Sequence, residues 1–325
     1  MRNMPIGPIL VLLLTLPTSA APLTGNIAIH DPAIAVLDGR LVSFATGVER
    51  ASDGGQIRTK ISPDGSAWQE SGALPGGIPD WVEAELGFVP ANLWAPSVFE
   101  RAGTHYLYYS ASRFGRNDSA IGLMPNSALD PADPTSGWQD RGMVLRSLGG
   151  DNFNAIDPAR VGTGTQAFLI FGSFWDGIGM IELDPETGLA LPGVERIRLA
   201  SRGGGAIEAP SILEHDGRFY LFVSFDKCCN GLASSYRIMV GRADAVTGPY
   251  LDREGRPMLE GGGTELLKSE GRVRGPGGQE VFMRDGRPWL AFHWYDRDQN
   301  GMPKLGLSPI DFDDEGWPVI KGPEL

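Results

Sequence analysis

HDPAI at residues 30–34, WAPSV at 94–98, IDPAR at 156–160 and IEAPS at 207–211 are four copies of one short motif. In each copy an acidic residue, or a residue in its place, accompanies a proline that opens a predicted strand. A turn that contains glycine and a second apolar strand belong to the repeating pattern, as in AVLDGRLVSFATG after the first copy. A fifth copy begins with GGQ at 277–279, in place of the acid and the proline.

The spacing of these copies predicts the architecture. Successive prolines are 64, 62 and 52 residues apart, and the fourth is 69 residues from Gln279. A period of about 60 residues with several short strands is longer than a solenoid repeat and suits a large propeller blade. Five such units use up the chain. The sequence therefore predicts an all-β, five-bladed β-propeller whose repeated acids lie on the strands nearest the axis.

The N-terminus has the pattern of a secretory signal peptide. Arg2 provides positive charge, ILVLLLTL at 9–16 is apolar, and TSA at 18–20 offers small residues for cleavage. An uncleaved anchor is the alternative, although the apolar run is short for a membrane span. We expect an exported protein, periplasmic or extracellular, that loses residues 1–20 and keeps 21–325 as a single catalytic propeller domain.

The composition excludes two classes of partner. The 45 glycines and 25 prolines supply tight turns between many short strands, as an all-β protein requires. The formal net charge is −12, and no run of basic residues occurs. Nucleic acids and anionic membranes bind clustered Lys and Arg, so neither is an expected partner. We expect a monomer.

The two cysteines, Cys228 and Cys229, are neighbours in the sequence. In an exported protein they could form a vicinal disulfide that fixes their loop. Two reduced thiols packed in the loop are an equally good interpretation. A zinc site is excluded because no second pair of cysteines or nearby histidine completes a ligand set.

Three of the repeats carry a carboxylate: Asp31, Asp157 and Glu208. A single Asp before proline can simply cap a turn. Three acids that converge on an axis repel one another and are costly to bury, so they indicate catalysis or ion binding.

Two aromatic residues are candidates for sugar stacking. Trp94 occupies the place of the acid in the second repeat, so its ring should face the central opening, where it could stack on a sugar face. A tryptophan of the core is the alternative interpretation. Phe114, in the loop that follows the same repeat, is a second candidate platform.

The ordered set of motifs resembles the arabinanase branch of glycoside hydrolase family 43, whose endo-acting members cut α-1,5-linked L-arabinan. The motifs occur in family order and span nearly the whole mature chain: HDP, WAP, SAIGL, NAIDP, GSFWDGI, IEAP, SFDKCCNG, GRADAVTGPYLD (241–252) and EGGGTELL (260–267). Each short motif alone is weakly specific, but the ordered set is highly specific. The resemblance also implies a five-bladed propeller with the site in a groove across its axis.

The resemblance implies a role for each acid. Asp31 matches the general base that activates water, Glu208 the general acid, and Asp157 the third carboxylate that orients the acid and tunes its pKa. This division agrees with the chemistry, since glycoside cleavage needs one carboxyl group protonated and another ionised. An inverting enzyme holds its two carboxyl groups about 6.5–9.5 Å apart to leave room for water.

The same resemblance provides candidates for substrate and ion binding. Trp94, Phe114 and Trp175 would offer apolar faces, and Asn154 and Ser173 would hydrogen-bond to arabinose hydroxyls. We expect no organic cofactor.

His293, in LAFHWYD, resembles the family's axial ligand for calcium or another small ion, and we expect it on the innermost strand of the last blade. A hydrogen-bonded core histidine is the alternative. Two departures from the family pattern stand out: Gly278 replaces the histidine of a GPGH motif, and Ser97 stands where relatives often have Asp.

Three alternatives remain beside an inverting endo-arabinanase. One is an exo-acting family 43 α-L-arabinofuranosidase or β-xylosidase. A retaining fructan-active propeller fits less well, because those enzymes typically have Arg-Asp-Pro where this chain has Ile156-Asp157-Pro158. A non-catalytic glycan-binding propeller is disfavoured because binding a neutral sugar does not require three converging carboxylates.

Overall fold

The computed structural model describes residues 22–49, 51–321 and 324–325. Its strands form five separate sheets, and each consists of sequential antiparallel neighbours except for one short parallel pair. The prediction of an all-β, five-bladed β-propeller is confirmed. The predicted signal peptide, residues 1–20, lies outside the described ranges. Within those ranges no helix has the length and apolar character needed to cross a membrane.

The first three blades follow one another along the chain. Blade 1 contains β1 (Thr24–Gly25), β2 (Ala33–Leu37), β3 (Arg40–Ala45), β4 (Arg58–Ser62) and β5 (Ala67–Ala73). The helix α1 (Asp80–Leu86) follows. Blade 2 contains β6 (Trp94–Arg101), β7 (Thr104–Ala111), β8 (Ser119–Asn126) and β9 (Met143–Ser147). Blade 3 contains β10 (Ala159–Thr163), β11 (Gln166–Phe171), β12 (Ile178–Leu183) and β13 (Ile197–Ala200).

The last two blades have the same order. Blade 4 contains β14 (Ile207–His215), β15 (Arg218–Phe225), β16 (Arg237–Ala243) and β17 (Thr264–Leu267). Blade 5 contains β18 (Val273–Arg284), β19 (Arg287–Asp296), β20 (Met302–Phe312) and β21 (Pro318–Ile320). Short 3-10 helices occupy Gly231–Ala233, Met258–Glu260 and Arg297–Gln299. The innermost strands β2, β6, β10, β14 and β18 contact one another in a closed ring.

The core is divided into five clusters of buried apolar side chains, one between each pair of neighbouring blades. Alternate residues of a strand point to opposite faces of its sheet. On β7, Tyr108 therefore packs toward blade 3, whereas Tyr109 packs toward blade 1. Because both faces of a blade are covered, second strands such as β11 (QAFLIF) and β15 (RFYLFVSF) are apolar in long runs rather than in alternation.

The ring is closed by the segment that precedes Asp31. The N–H of Leu305 donates to the carbonyl of Ile27 at 2.9 Å, and the N–H of Ile29 donates to the carbonyl of Pro303 at 3.2 Å. This segment therefore lies on the edge of β20, while the preceding β1 pairs with β5 in blade 1. The chain joins its first and last blades immediately before it delivers Asp31 to the axis.

Each inner strand has, within it or two residues before it, a residue whose backbone is in the left-handed region. These residues directly precede the proline or its counterpart, and their φ angles are 50° for Asp31, 36° for Ala95, 55° for Asp157, 51° for Ala209 and 58° for Gly278. The three acids therefore do not occupy one equivalent position in their repeats. Glu208 stands one residue earlier and is equivalent to Trp94. The regular register is also shifted on β6, β14 and β18.

The predicted place of His293 is wrong in one respect. His293 lies on β19, the second strand of blade 5, rather than on the innermost strand β18. It pairs with Gly277 of β18 and is fully buried behind that strand. LAFHWYD corresponds to the second apolar strand of each repeat. That strand lies further from the axis than the innermost strand of its blade.

A narrow cavity of about 30 Å³ follows the axis and is lined by the starts of the inner strands. Glu280 contributes to it, and burial raises the pKa of this carboxyl group to about 8. Ser97 donates its hydroxyl hydrogen to Oε1, whereas Oε2 is buried without a hydrogen-bond partner among the described residues. An Asp in place of Ser97 would bring a second carboxyl group beside Glu280. The fold therefore favours a neutral Glu280.

Glu280→Gln is expected to stabilise the protein more and more as the pH rises from about 4.5 to about 8. The unfolded chain releases this proton near the ordinary pKa of 4.5, whereas the folded protein keeps it to about pH 8. Folding of the wild type therefore becomes less favourable across that interval, by about 5 kcal/mol in total. Thermal unfolding between about pH 4 and 9 measures the effect, with the exposed Glu214→Gln on β14 as the control. A Tm difference that is the same at every pH would contradict the prediction.

Candidate active site

A cavity of about 910 Å³ opens at the end of the axis where the inner strands begin. Residues of the first four blades line it. The structure brings together every residue that the sequence assigned to catalysis or to substrate: Asp31, Trp94, Phe114, Asn154, Asp157, Ser173, Trp175 and Glu208. His293 is not among the residues that line this cavity.

Asp31 is surrounded by hydrogen-bond donors. Its Oδ2 accepts a hydrogen bond from Thr46 Oγ1 at 2.7 Å and lies 2.7 Å from Nδ1 of His30. Burial opposes ionisation of this carboxyl group, but His30 and His293 outweigh that effect and hold the pKa of Asp31 well below its ordinary range. Asp31 is therefore a carboxylate at neutral pH and can accept a proton from water.

Glu208 has the opposite character. It is 8% exposed, and burial together with the negative charge of Asp31 raises its pKa above the ordinary value. Ser173 Oγ donates to Oε2 at 2.6 Å, and the hydroxyl of Tyr236 donates to Oε1. These two donors favour the carboxylate, so they also stabilise the anion that remains once Glu208 has given up its proton.

Asp157 is tied directly to the backbone beside Glu208. Its Oδ2 accepts a hydrogen bond from the N–H of Ala209 at 3.0 Å, and its own N–H donates to Ser110 Oγ at 3.0 Å. Burial, followed by the charges of Glu208 and Asp31, raises the pKa of Asp157 well above its ordinary value. Asp157 and Glu208 therefore act as a pair that holds a proton where separate carboxyl groups would ionise.

The aromatic and amide candidates occupy different depths of the cavity. The ring of Phe114 is 84% exposed at the rim, while Trp94 is half-buried and its indole N–H donates to Asn92 Oδ1 at 3.1 Å. Asn154 is 3% exposed, and its Oδ1 has no hydrogen-bond partner among the described residues. Asn154 lines the cavity, although this oxygen is itself buried. Ser173, which we expected to contact sugar, instead donates its hydroxyl to Glu208.

Trp94→Ala is expected to weaken oligosaccharide binding by about tenfold, because a stacked ring contributes about 0.5–1.5 kcal/mol beyond the area that it buries. Isothermal titration with arabino-oligosaccharides measures the change. Trp81, which lies on α1 outside the cavity, provides the matched control Trp81→Ala. A lower Tm with unchanged binding would instead show that Trp94 serves only the core.

Cys228 and Cys229 form a disulfide with each other in the wall of the cavity, which decides between the two interpretations of the sequence. The disulfide lies beside His30, whose Nε2 is 3.9 Å from Sγ of Cys229. The ring of His30 stacks on that of His293 at 3.8 Å between centroids. Blade 5 thus supports the cavity from behind, although none of its described residues lines the cavity.

Four residues around the acids were missed by sequence reasoning: His30, Thr46, Tyr236 and Tyr295. His30 has a visible signal, since it adjoins Asp31 in the motif HDP. Tyr236 and Tyr295 lie at or beside the ends of apolar strands and have the pattern of ordinary core residues. Their role depends on contacts between distant repeats, which no local pattern reveals.

The residues around His293 do not fit calcium. One ligand atom each of His30, Asp31 and His293 lies within 4.8 Å of the others. Calcium takes about 6–8 oxygen ligands, whereas this cluster offers two imidazoles and one carboxylate. Both ring nitrogens of His30 and Oδ2 of Asp31 already have partners. A Cβ at Gly278 would lie 2.4 Å from Asp31 Oδ1, so the missing histidine also has no room. We derive no step from a metal.

Comparison with known proteins places this geometry in a family. The profile of Glycosyl hydrolases family 43 matches residues 24–318. The chain is 37% identical over 308 residues to the "Extracellular endo-alpha-(1->5)-L-arabinanase 1" of Bacillus subtilis (strain 168), which covers 93% of this chain and 92% of that protein.

Two further similarities agree with this match. The chain is 36% identical over 313 residues to the "Extracellular exo-alpha-(1->5)-L-arabinofuranosidase ArbA" of Cellvibrio japonicus (strain Ueda107), covering 92% of this chain and 88% of that one. The solved "GH43 Endo-Arabinanase from Bacillus licheniformis" has a TM-score of 0.83 and 39% identity, over 92% of this chain and 99% of that chain. The chain therefore belongs to family 43 of the glycosyl hydrolases.

Proposed function

We propose that the protein hydrolyses internal α-1,5-L-arabinofuranosidic linkages of arabinan with inversion. The observation that carries the proposal is that Asp31 and Glu208 line one cavity, where the surroundings lower the pKa of Asp31 and raise the pKa of Glu208. Glycoside hydrolysis requires such a pair, because one group must receive a proton while the other donates one. The names of relatives more than 30% identical over nearly the full length supply the substrate class.

Each acid has its own role in the reaction. Asp31 removes a proton from water as the water attacks the anomeric carbon from the face opposite the leaving group. Glu208 delivers its proton to the departing glycosidic oxygen, and the hydroxyl groups of Ser173 and Tyr236 then stabilise the resulting carboxylate. Asp157 holds the backbone beside Glu208 in place and forms with the acid a pair that retains a proton in common.

Product analysis on linear arabinan tests the endo mode. An endo-acting enzyme releases a ladder of oligosaccharides early in the reaction, and this is the expected result. Arabinose as the sole early product would instead support the exo-acting alternative, which the name of the Cellvibrio relative makes the second candidate. Binding of oligosaccharides without any hydrolysis would indicate a non-catalytic glycan-binding propeller.

Proton NMR during the first minutes of hydrolysis tests inversion. Cleavage of an α-linkage with inversion produces the β-anomer at the new reducing end before mutarotation mixes the two forms. Initial release of the α-anomer would show retention and would remove the role of general base from Asp31.

We also propose that the protein is exported and acts as a monomer. Two relatives carry names that describe them as extracellular, and residues 1–20 have the signal-peptide pattern. Mass spectrometry of the protein recovered outside the cytoplasm should show a chain that begins near residue 21. Size-exclusion chromatography with light scattering measures the oligomeric state, and a dimer mass would contradict the second claim.

A further inference from the structure

A chain of hydrogen bonds joins the vicinal disulfide to the catalytic base. The backbone N–H of Cys229 donates to Tyr295 Oη at 2.9 Å. Tyr295 Oη lies 2.8 Å from Nε2 of His30, and Nδ1 of His30 lies 2.7 Å from Oδ2 of Asp31. Blades 1 and 5 and a loop of blade 4 each contribute a member. We call these groups the Cys229–Tyr295–His30 relay.

The groups at the two ends of the relay fix the donor in its two outer hydrogen bonds. An ionised carboxylate only accepts hydrogen bonds, so Nδ1 of His30 carries a hydrogen and donates to Asp31. A backbone N–H only donates, so Tyr295 Oη accepts from Cys229. Burial lowers the pKa of His30, but the neighbouring charge of Asp31 outweighs it and raises that pKa above its ordinary value. Neutral His30 accepts from the Tyr295 hydroxyl at Nε2, whereas protonated His30 donates from Nε2 to Tyr295 Oη, so the bond between them persists in either state.

Packing alone does not explain the orientation of His30. The stack on the ring of His293, at 3.8 Å between centroids, fixes the plane of the imidazole. Rotation within that plane remains, and it would move Nδ1 away from Asp31. The bond from Nε2 to Tyr295, which is 3% exposed and therefore held in place, removes this freedom.

The disulfide fixes the far end of the relay. Cys229 has a φ of 63°, a left-handed conformation that is unfavourable for a residue other than glycine. The covalent bond to Cys228 holds the two residues in this turn and so aims the N–H of Cys229 at Tyr295. When the bond is reduced, the turn is free to relax, and Tyr295 loses its donor.

We propose that the Cys228–Cys229 disulfide and Tyr295 are positioning groups that orient Asp31 through His30, so that turnover depends on the oxidised state of the disulfide. Neither the disulfide nor Tyr295 touches the reacting atoms. Their effect should therefore fall on kcat rather than on KM.

The kinetic experiment combines Tyr295→Phe with reduction and rests on the proposed arabinan hydrolysis. Tyr295→Phe should lower kcat about fivefold to tenfold at unchanged KM, as expected for the loss of about one net hydrogen bond. A phosphine reductant should lower wild-type kcat by a similar factor and have no further effect on Tyr295→Phe, because both changes break one relay. Tyr108→Phe, which also removes one buried hydroxyl but outside the cavity, is the matched control.

Two kinetic results would overturn the proposal. One is a wild-type kcat unaffected by reduction, once thiol titration has found two thiols per chain. The other is an effect of reduction on Tyr295→Phe as large as that on the wild type. If activity falls only in samples whose Tm is also lower, the relay merely stabilises the fold.

A second measurement needs no substrate. The chain has four histidines, so the imidazole ¹⁵N resonances can be assigned by substituting each in turn. Reduction of the disulfide and Tyr295→Phe should each move the Nε2 resonance of His30, while that of the distant His215 stays fixed. An unmoved His30 resonance would refute the relay even if arabinan proves not to be the substrate. Inactivity on arabinan together with a moved resonance would refute only the proposed function.

Discussion

Glu208→Gln and Asp31→Asn are each expected to lower kcat on linear arabinan by at least about 10²–10⁴-fold. Gln cannot donate the proton that the leaving oxygen needs, and Asn cannot accept one from the attacking water. The structure supports both roles, because burial and nearby charge raise the pKa of Glu208 while His30 and His293 hold the pKa of Asp31 well below its ordinary range. Steady-state kinetics, with Tm as a check on folding, measure both variants.

The exposed acid Asp216, outside the cavity, provides the control Asp216→Asn, which should leave kcat unchanged. If Glu208→Gln or Asp31→Asn keeps more than about a tenth of wild-type kcat, the assignment at that position is wrong, because loss of a general acid or base costs far more.

Asp157→Asn is expected to move the alkaline limb of the pH–rate profile to lower pH, by about one unit or more. The enzyme is active only while Glu208 holds its proton, so this limb follows the pKa of the acid. Burial and the nearby charges of Glu208 and Asp31 raise the pKa of Asp157, and the pair retains a proton in common. Asn removes the second carboxyl group, so Glu208 ionises alone and at lower pH.

Profiles of kcat/KM for the wild type and Asp157→Asn measure this shift in the free enzyme. The acid limb reports Asp31 and should move much less, which provides an internal control. An alkaline limb that stays in place while kcat falls would leave Asp157 with an orienting role through Ala209 and no role in setting the pKa.

The fold was predictable because each blade is built from neighbouring parts of the sequence. A proline motif that recurs about every 60 residues is visible without any knowledge of distant contacts. The offset of Glu208 by one residue is also visible, because Ala209 separates Glu208 from Pro210. The left-handed backbone of the residue before each proline or its counterpart was not visible, because Asp, Ala and Gly all occupy that place. No residue type marks the irregularity.

The supporting residues were hidden for a different reason. Tyr295 lies 265 residues from His30, and Tyr236 lies 28 residues from Glu208. A single tyrosine within an apolar strand has the pattern of a core residue until the ring of blades brings its hydroxyl to an acid. The disulfide was left open because adjacent cysteines can be packed as free thiols equally well.

Because residues 27–29 pair with β20, the time at which Asp31 is positioned depends on the order in which the chain is synthesised. Asp31 is among the first residues of the propeller to leave the ribosome, whereas the strand that anchors its segment is among the last. Contacts between such distant parts of a chain form late and slowly in folding. The general base is therefore positioned only after blade 5 has been synthesised and the ring of blades has closed. A partly synthesised or opened molecule would contain the general acid, Glu208, but its general base, Asp31, would not be held in position to activate water.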